Sequence, residues 1–236
     1  VAETRRSPLI PAIAGGIIGS AITAAGLLLA GPQLISGKIV RQAMLDDPQI
    51  LVDAANVLQD RQYAPTLNNA RAQIETPFAS SWKGAEKPEV VLVEFYDYAC
   101  PYCKASNPHV DQLVRENPKL RVVYRELPIL GPNSVEAARL SLAASKAGRF
   151  QQFHDALYAA GRPAPDTNAA AARIANIPSK PTEDPAIEAE LKKNFQLASQ
   201  LGASGTPLFV VGDRVLSGAV GYDALKKAVE DAQKKS

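Results

Sequence analysis

Cysteine is nearly missing from this chain: 236 residues contain two, Cys100 and Cys103. A scaffold stapled by disulfides needs more of them, spread along the sequence, so that class is excluded. Two cysteines this close can bridge only to each other, and so short a loop adds little stability. Their purpose is chemical. Histidine is equally scarce, with only His109 and His154, neither at finger spacing from the cysteines. A zinc site takes about four ligands, and the donors are too few and badly placed. No metal is assigned, although copper(I) on the two thiolates stays open as a side activity. An excess of either charge is lacking too, since 26 basic residues face 24 acidic ones for a net +2. That balance excludes a general nucleic-acid binder, which carries a strong basic field. With 46% hydrophobic residues, the body of the chain is not disordered.

Charge is absent altogether from residues 7–37. The most continuous apolar part, 12–30, is 19 residues, which spans about 28 Å as a helix and nearly matches a bilayer core. Arg5 and Arg6 precede it, so the positive-inside rule keeps the N-terminus cytoplasmic and sends the remainder across. Residues 1–37 therefore read as a signal-anchor holding the protein at the inner membrane of a bacterium, with the body in the periplasm. A cleaved signal is the alternative, although the segment around Leu29-Ala30-Gly31 is a poor small-x-small site. A buried core helix is the third reading.

Residues 38–76 read as a helical arm. Asp47-Pro48 is a helix start, with Asp as N-cap and Pro at the first helical position. Ile50, Leu51, Ala54, Val57 and Leu58 then recur at three- and four-residue steps as one apolar stripe. The stripe either packs on the main domain or pairs with copies of itself, making 38–62 an oligomerisation arm. Pro65 and Pro77 bracket a polar stretch, 68–76, that reads as linker or short helix.

Residues 89–96, EVVLVEFY, have the β-branched, apolar character of a buried central strand. After Asp97-Tyr98-Ala99, the run Cys100-Pro101-Tyr102-Cys103 opens a helix to about Glu116. A strand feeding a helix whose first turn carries Cys-x-x-Cys is the thioredoxin-like redox arrangement. Cys100 at the helix tip meets unpaired N–H groups and the positive dipole end, which favour a thiolate. Only a thiolate attacks a disulfide, so Cys100 is the expected nucleophile and Cys103, one turn on and more buried, the resolving thiol. Pro101 suits an early helical position and stiffens the turn. Glu94 alternates onto the face of Leu92 and Tyr96, opposite Val93 and Phe95. A carboxylate in so apolar a strand is costly without a task, and a proton relay for Cys103 is a fitting one. The plain alternative is an exposed strand-edge glutamate. Pro108 falls in mid-helix, where it costs a hydrogen bond and bends the axis. Thr206-Pro207 precedes a second apolar strand, Leu208-Phe209-Val210-Val211.

VEFYDYACPYCK, followed about a hundred residues later by LGASGTPLFVVGDRVLSGA, resembles the DsbA-like branch of the thioredoxin superfamily. Within it the chain is most similar to ScsC-type proteins with an N-terminal helical extension. The resemblance implies an α/β thioredoxin fold over 86–236 with an all-helical insertion at about 132–202. Helices are expected at 134–147, 150–160, 167–177 and 185–201. It implies that Cys100 and Cys103 are the nucleophilic and resolving cysteines, Glu94 a buried acid, Pro108 a kink, and Pro207 a cis-proline facing the disulfide. No cofactor is implied beyond the Cys100–Cys103 disulfide itself. Two departures stand out. Tyr102 replaces the histidine of DsbA-type oxidases, which predicts a less oxidising potential. Thr206 replaces an apolar residue and resembles the disulfide isomerases, where its hydroxyl can speed release of mixed disulfides.

These features imply a periplasmic oxidoreductase acting on unfolded or misfolded secreted proteins, leaning to isomerase or reductase. It would be kept reduced by a membrane partner of DsbD or ScsB type. A DsbA-like oxidase served by a DsbB-type partner is the alternative, and a copper(I)-binding periplasmic protein the second. Thr206 main chain, Tyr102 and Pro207 are expected to border a shallow, backbone-directed peptide site.

Overall fold

The computed structural model describes residues 37–181 and 183–234. The expected anchor at 12–30 lies outside them. Among the described residues no helix is long and apolar enough to cross a membrane. The chain divides into two compact units between Val57 and Leu58.

In the first unit, the described residues form helix α1 (37–46) and the start of α2 (Gln49–Glu75). Asp47 Oδ1 accepts the Gln49 N–H at 3.1 Å, so the Asp-Pro start acts as expected. Ile39, Val40, Leu45, Ile50, Leu51 and Val57 are all exposed in the single chain.

The second unit is a five-stranded sheet between helical layers. Its strands are β1 (Trp82–Gly84), β2 (Val90–Tyr96), β3 (Leu120–Glu126), β4 (Leu208–Val211) and β5 (Arg214–Ser217). Their order is β1-β3-β2-β4-β5, with β2 and β3 parallel and the other pairs antiparallel. The active-site helix α3 (Pro101–Glu116) follows β2. Four helices separate β3 from β4: α4 (Pro132–Lys146), α5 (Phe150–Ala160), α6 (Pro165–Ile174) and α7 (Pro185–Gln200). These are the insertion expected from the sequence, displaced by a few residues at some ends. Helix α8 (Tyr222–Gln233) closes the fold.

Strand β2 is central because apolar side chains leave on both of its faces. Val90, Leu92 and Tyr96 join a core with Val110 and Leu113 of α3, Phe153 and Leu157 of α5, and Leu225 of α8. Val93 and Phe95 join a second core with Leu197 and Leu201 of α7 and with Leu67, Ala70 and Ile74 of α2. This second core corrects the sequence reading of 68–76. Of the two readings, linker or short helix, the helical one holds, but the stretch is the last turns of α2 rather than a separate helix, and the compact body begins at Leu58 rather than near residue 86. The physical reason lies in three buried residues at helical spacing, 67, 70 and 74, sufficient to seat the otherwise polar second half of α2 on the sheet. Pro65 breaks nothing because it stands on the exposed side of α2, where the carbonyl it releases meets water.

Arg125 fastens this helix. It is 1% exposed and points from β3 to the α2 side of the sheet. Its guanidinium donates to Glu190 Oε1 at 2.7 Å, Asn194 Oδ1 at 2.9 Å and the Ile74 carbonyl at 2.9 Å. It also donates to the carbonyls of Gln73 and Thr76, so it caps the end of α2, whose last carbonyls lack helical partners. Arg125→Ala removes one partner of a buried ion pair and strands those carbonyls. A destabilisation of about 3–5 kcal/mol is expected in urea unfolding, against under 1 kcal/mol for the exposed Lys119–Glu89 pair.

Candidate active site

The site forms where β2 hands over to α3. Asp97 ends the strand, and its carboxylate accepts the Ala99 N–H at 2.7 Å and the Ile129 and Leu130 N–H groups at 2.8 and 2.9 Å. It thereby ties the loop after β3 to the start of α3. Cys100 is the N-cap of α3 in extended conformation, with Pro101 next in the first turn. Its thiol donates to the Thr206 carbonyl at 3.2 Å. The Thr206–Pro207 bond is cis, as the resemblance implied. Both cysteines are free thiols here.

Helix α3 buries Cys103, Ser106, Val110 and Leu113, a three-four-three spacing that turns one face to the sheet. Cys103 is therefore fully enclosed, while Pro101 and Tyr102 face out, Tyr102 at 63% exposure. Pro108 sits on the exposed side of the same helix. Burial, followed by the charge of Glu94, pushes the Cys103 thiol far up; the Asp97 backbone and the Thr206 hydroxyl pull it back in part.

Glu94 occupies the face that alternation assigned to it, opposite Tyr124 on β3 and Phe209 on β4. It is 1% exposed, which rules out the strand-edge alternative. Neither carboxyl oxygen has a hydrogen-bond partner in the protein. Desolvation first, then the neighbouring Cys100 and Asp111, push its pKa up to about 8. An acid held there exchanges its proton near neutral pH, which suits a group serving a thiol next to it. The structure thus brings together Cys100, Cys103, Glu94, Thr206 and Pro207, with Pro101 and Tyr102 forming the outer lip.

Several neighbours escaped the sequence reading. Glu126, at the end of β3, is a second buried carboxyl, pushed up to about 8 chiefly by burial. It accepts from Tyr96, whose hydroxyl lies 3.1 Å from that of Tyr98, itself 2.9 Å from Ser141 Oγ. His154, noted in the sequence only as a poor metal ligand, is buried among Tyr96, Tyr98, Tyr124 and Tyr158. Beside Gly205, a groove of about 320 Å³ is lined by Leu127, Ile129, Phe195 and Ala203. Ile129, Leu130 and Phe195 are large apolar residues left exposed. Parity of β3 against β2 would have pointed to Tyr124 and Glu126, but only the strand register supplies that parity. Among the described residues no group of three or more His, Cys, Asp or Glu side chains is placed to hold a metal ion.

Known proteins share this arrangement. The family model described as a DSBA-like thioredoxin domain matches residues 91–230. A thioredoxin-like oxidoreductase from Silicibacter pomeroyi DSS-3 is 37% identical, with 70% of this chain and 99% of that one covered at a TM-score of 0.66. The catalytic domain of Proteus mirabilis ScsC is 30% identical, with 72% and 98% covered at 0.67. A periplasmic thioredoxin-like protein from Salmonella enterica serovar Typhimurium is 32% identical, with 71% and 97% covered at 0.65. Among curated proteins, Na(+)/H(+) antiporter NhaA 3 of Salinispora tropica is 32% identical over 158 residues, 64% of this chain and 24% of that protein. The chain spans about a quarter of the length of the curated relatives it matches. The chain belongs to the DSBA-like thioredoxin domain family, and the matched residues include Cys100 and Cys103.

Proposed function

We propose that this protein exchanges disulfides with unfolded or misfolded secreted proteins in a bacterial periplasm, acting chiefly as a reductase and isomerase. The observation that carries the reading is the contrast between its two sulfurs. Cys100, 4% exposed, stands at the tip of α3 against the Thr206 carbonyl, and Cys103, with no exposed surface, lies one turn deeper beside Glu94. Cys100 attacks one sulfur of a substrate disulfide, forming a mixed disulfide and releasing the other sulfur as thiolate. Glu94, once its own proton has left, accepts the Cys103 proton. The Cys103 thiolate attacks Cys100, closing the internal disulfide and freeing the second substrate thiol, so two electrons pass to the substrate. In isomerisation a substrate thiolate displaces Cys100 instead. The Thr206 hydroxyl beside Cys103 and the absence of a histidine at Tyr102 support this direction.

Broad substrate choice is supported by a shallow apolar surface: Tyr102 at 63% exposure, Ile129, Leu130 and the groove beside Gly205. A peptide strand laid against the Thr206 main chain would be held through its backbone, with unspecific apolar contacts around it. The periplasmic setting is supported by the Salmonella relative, and residues 12–30 would anchor the protein to the inner membrane. A membrane partner of DsbD or ScsB type returns electrons to the dithiol. The exposed Ile39, Val40, Leu45, Ile50, Leu51 and Val57 support a homo-oligomer formed through 38–62, which would present several dithiols to one substrate.

Refolding of scrambled ribonuclease tests direction and assembly together. The intact protein is expected to be oligomeric and to restore ribonuclease activity. A variant with Ile50, Leu51, Val57 and Leu58 changed to Ser is expected to be monomeric and to lose that recovery. Rapid oxidation of reduced ribonuclease by this monomer, with no isomerisation by the intact protein, would establish an oxidase instead. Tyr102→His is expected to make the potential measured against glutathione more oxidising; an unchanged or lower value contradicts the role given to Tyr102.

Glu94 carries a pH dependence whose sign is fixed. Its pKa is about 8 when folded against an ordinary 4.5, so the folded chain holds a proton that the unfolded chain releases. The resulting stability is full below about 4.5 and is lost as pH rises through about 8. Glu126 behaves alike, so Glu94→Gln removes part of the slope. Unfolding of the reduced protein between about pH 5 and pH 9 should show the variant gaining on wild type as pH rises. Parallel curves would mean that Glu94 ionises normally.

A further inference from the structure

We infer that His154 and Asp155 form the outlet through which the proton of buried Glu94 reaches solvent, by way of Tyr124 and Tyr158. The inference rests on the reading of Glu94 as proton acceptor for Cys103. An enclosed acid that accepts a proton in each turnover must also return it, and Glu94 is 1% exposed with no protein partner for either oxygen. Some path must cross the core.

The structure offers a polar route through this layer that ends at an exposed carboxylate. Tyr124 stands opposite Glu94 on the neighbouring strand, on the same face of the sheet. Its ring centroid lies 4.9 Å from that of His154, and the Tyr158 ring lies 4.9 Å from His154 on the other side. His154 Nδ1 meets Asp155 Oδ1 at 3.3 Å, and the Asp155 side chain is 63% exposed. The route therefore ends in water.

The unsatisfied atoms supply an independent sign. Glu94 Oε1 and Oε2, Tyr158 Oη and His154 Nε2 are all buried with no hydrogen-bond partner in the protein. Buried polar groups are rarely left so, and a water linking two to four such atoms is the usual remedy. Tyr158 feels the charges of Cys103 and Glu94, and its ring also lies 4.9 Å from that of His154. A neutral imidazole can take a proton at Nε2 and release one from Nδ1, which an apolar side chain of the same size cannot do.

The proton balance is simple. Glu94 in its ionised form takes the Cys103 proton as that sulfur attacks Cys100 in the mixed disulfide. The proton then passes from Glu94 by way of Tyr124 and Tyr158, each hydroxyl taking one proton and giving up its own, to His154, while His154 gives up its own to Asp155 and bulk water. Other groups set the field along the way. Glu94 is faced by Cys100, Cys103 and Asp111 of α3, Tyr124 of β3 and Tyr158 of α5; His154 is faced by Lys83 of β1, Asp111, Tyr96, Tyr98, Tyr124 and Asp155. His154 and Asp155 touch no reacting atom and are positioning residues.

Rapid mixing of the reduced protein with glutathione disulfide, acid trapping and mass spectrometry separates mixed-disulfide formation from its resolution by Cys103. His154→Phe is expected to slow resolution relative to formation on the order of tenfold below pH 8, less than the ~10²–10⁴ typical of losing the acid–base group itself. The solvent deuterium effect on that step should rise. Asp155→Asn, at the surface, should slow it less and be restored by added acetate, and it remains informative if His154→Phe does not fold. If Glu94→Gln slows resolution while His154→Phe or Asp155→Asn leaves its rate, pH profile and isotope effect unchanged, this outlet is wrong. If Glu94→Gln itself leaves resolution unchanged, the reading beneath the inference fails, and the inference with it.

Discussion

Two proton-holding groups, the Cys103 thiol and the Glu94 carboxyl, are shut away from water against each other, and the chemistry of the site follows from that confinement. Desolvation penalises the charged form of each, so the pair resists carrying two charges and favours sharing a proton. Cys103 stays inert until its attack is needed, and Glu94 stays protonated far above the ordinary carboxyl range. Cys100 is nearly as buried, at 4% exposure, but it caps α3 at the seam where the Thr206 carbonyl comes within 3.2 Å. One turn of helix separates the sulfur at the helix tip from the one beside Glu94.

The sheet makes the confinement possible by splitting its two faces between unlike tasks. On one face lie the site, the phenol cluster around Glu126 and the helices α3, α5 and α8. On the other, Arg125 gathers α2 and α7 with charged hydrogen bonds, and an apolar core seals the rest. Residues 94, 125 and 126 are buried and ionisable on two adjacent strands, yet each meets a different solution. Arg125 is paired, Glu126 is hydrogen-bonded by Tyr96, and Glu94 is left without a partner. A carboxyl left unpaired where its neighbours are satisfied is costly to stability, and the cost is intelligible if its proton is used.

Much of this was legible in the chain. The continuous apolar run of β2, the Cys-x-x-Cys at a helix start and the period-two placement of Glu94 each follow from short-range rules, and each stands where those rules put it. The helices of the insertion were also readable as segments, and α7 has its own side-chain N-cap in Asp184. The second half of α2 stays open between linker and short helix in the sequence, since Pro65 and a polar composition mask a stripe of three residues that only a waiting sheet face makes meaningful. Tyr124, Tyr158 and His154 were not assembled at all. They come from one strand and one helix far apart in sequence, and nothing local links them.

By itself, then, the sequence determined where the two sulfurs stand, which strand and helix carry them, and that Glu94 lies on that strand on the same face as Leu92 and Tyr96. These are statements about neighbours within a few residues, where periodicity and helix ends dictate direction. Tertiary structure alone decided how deeply Glu94 is buried, that α2 from Leu58 onward belongs to the body, and which side chains surround the acid. Desolvation depends on every atom packed around a group, and that sum is taken over chain segments that only the folded topology brings together.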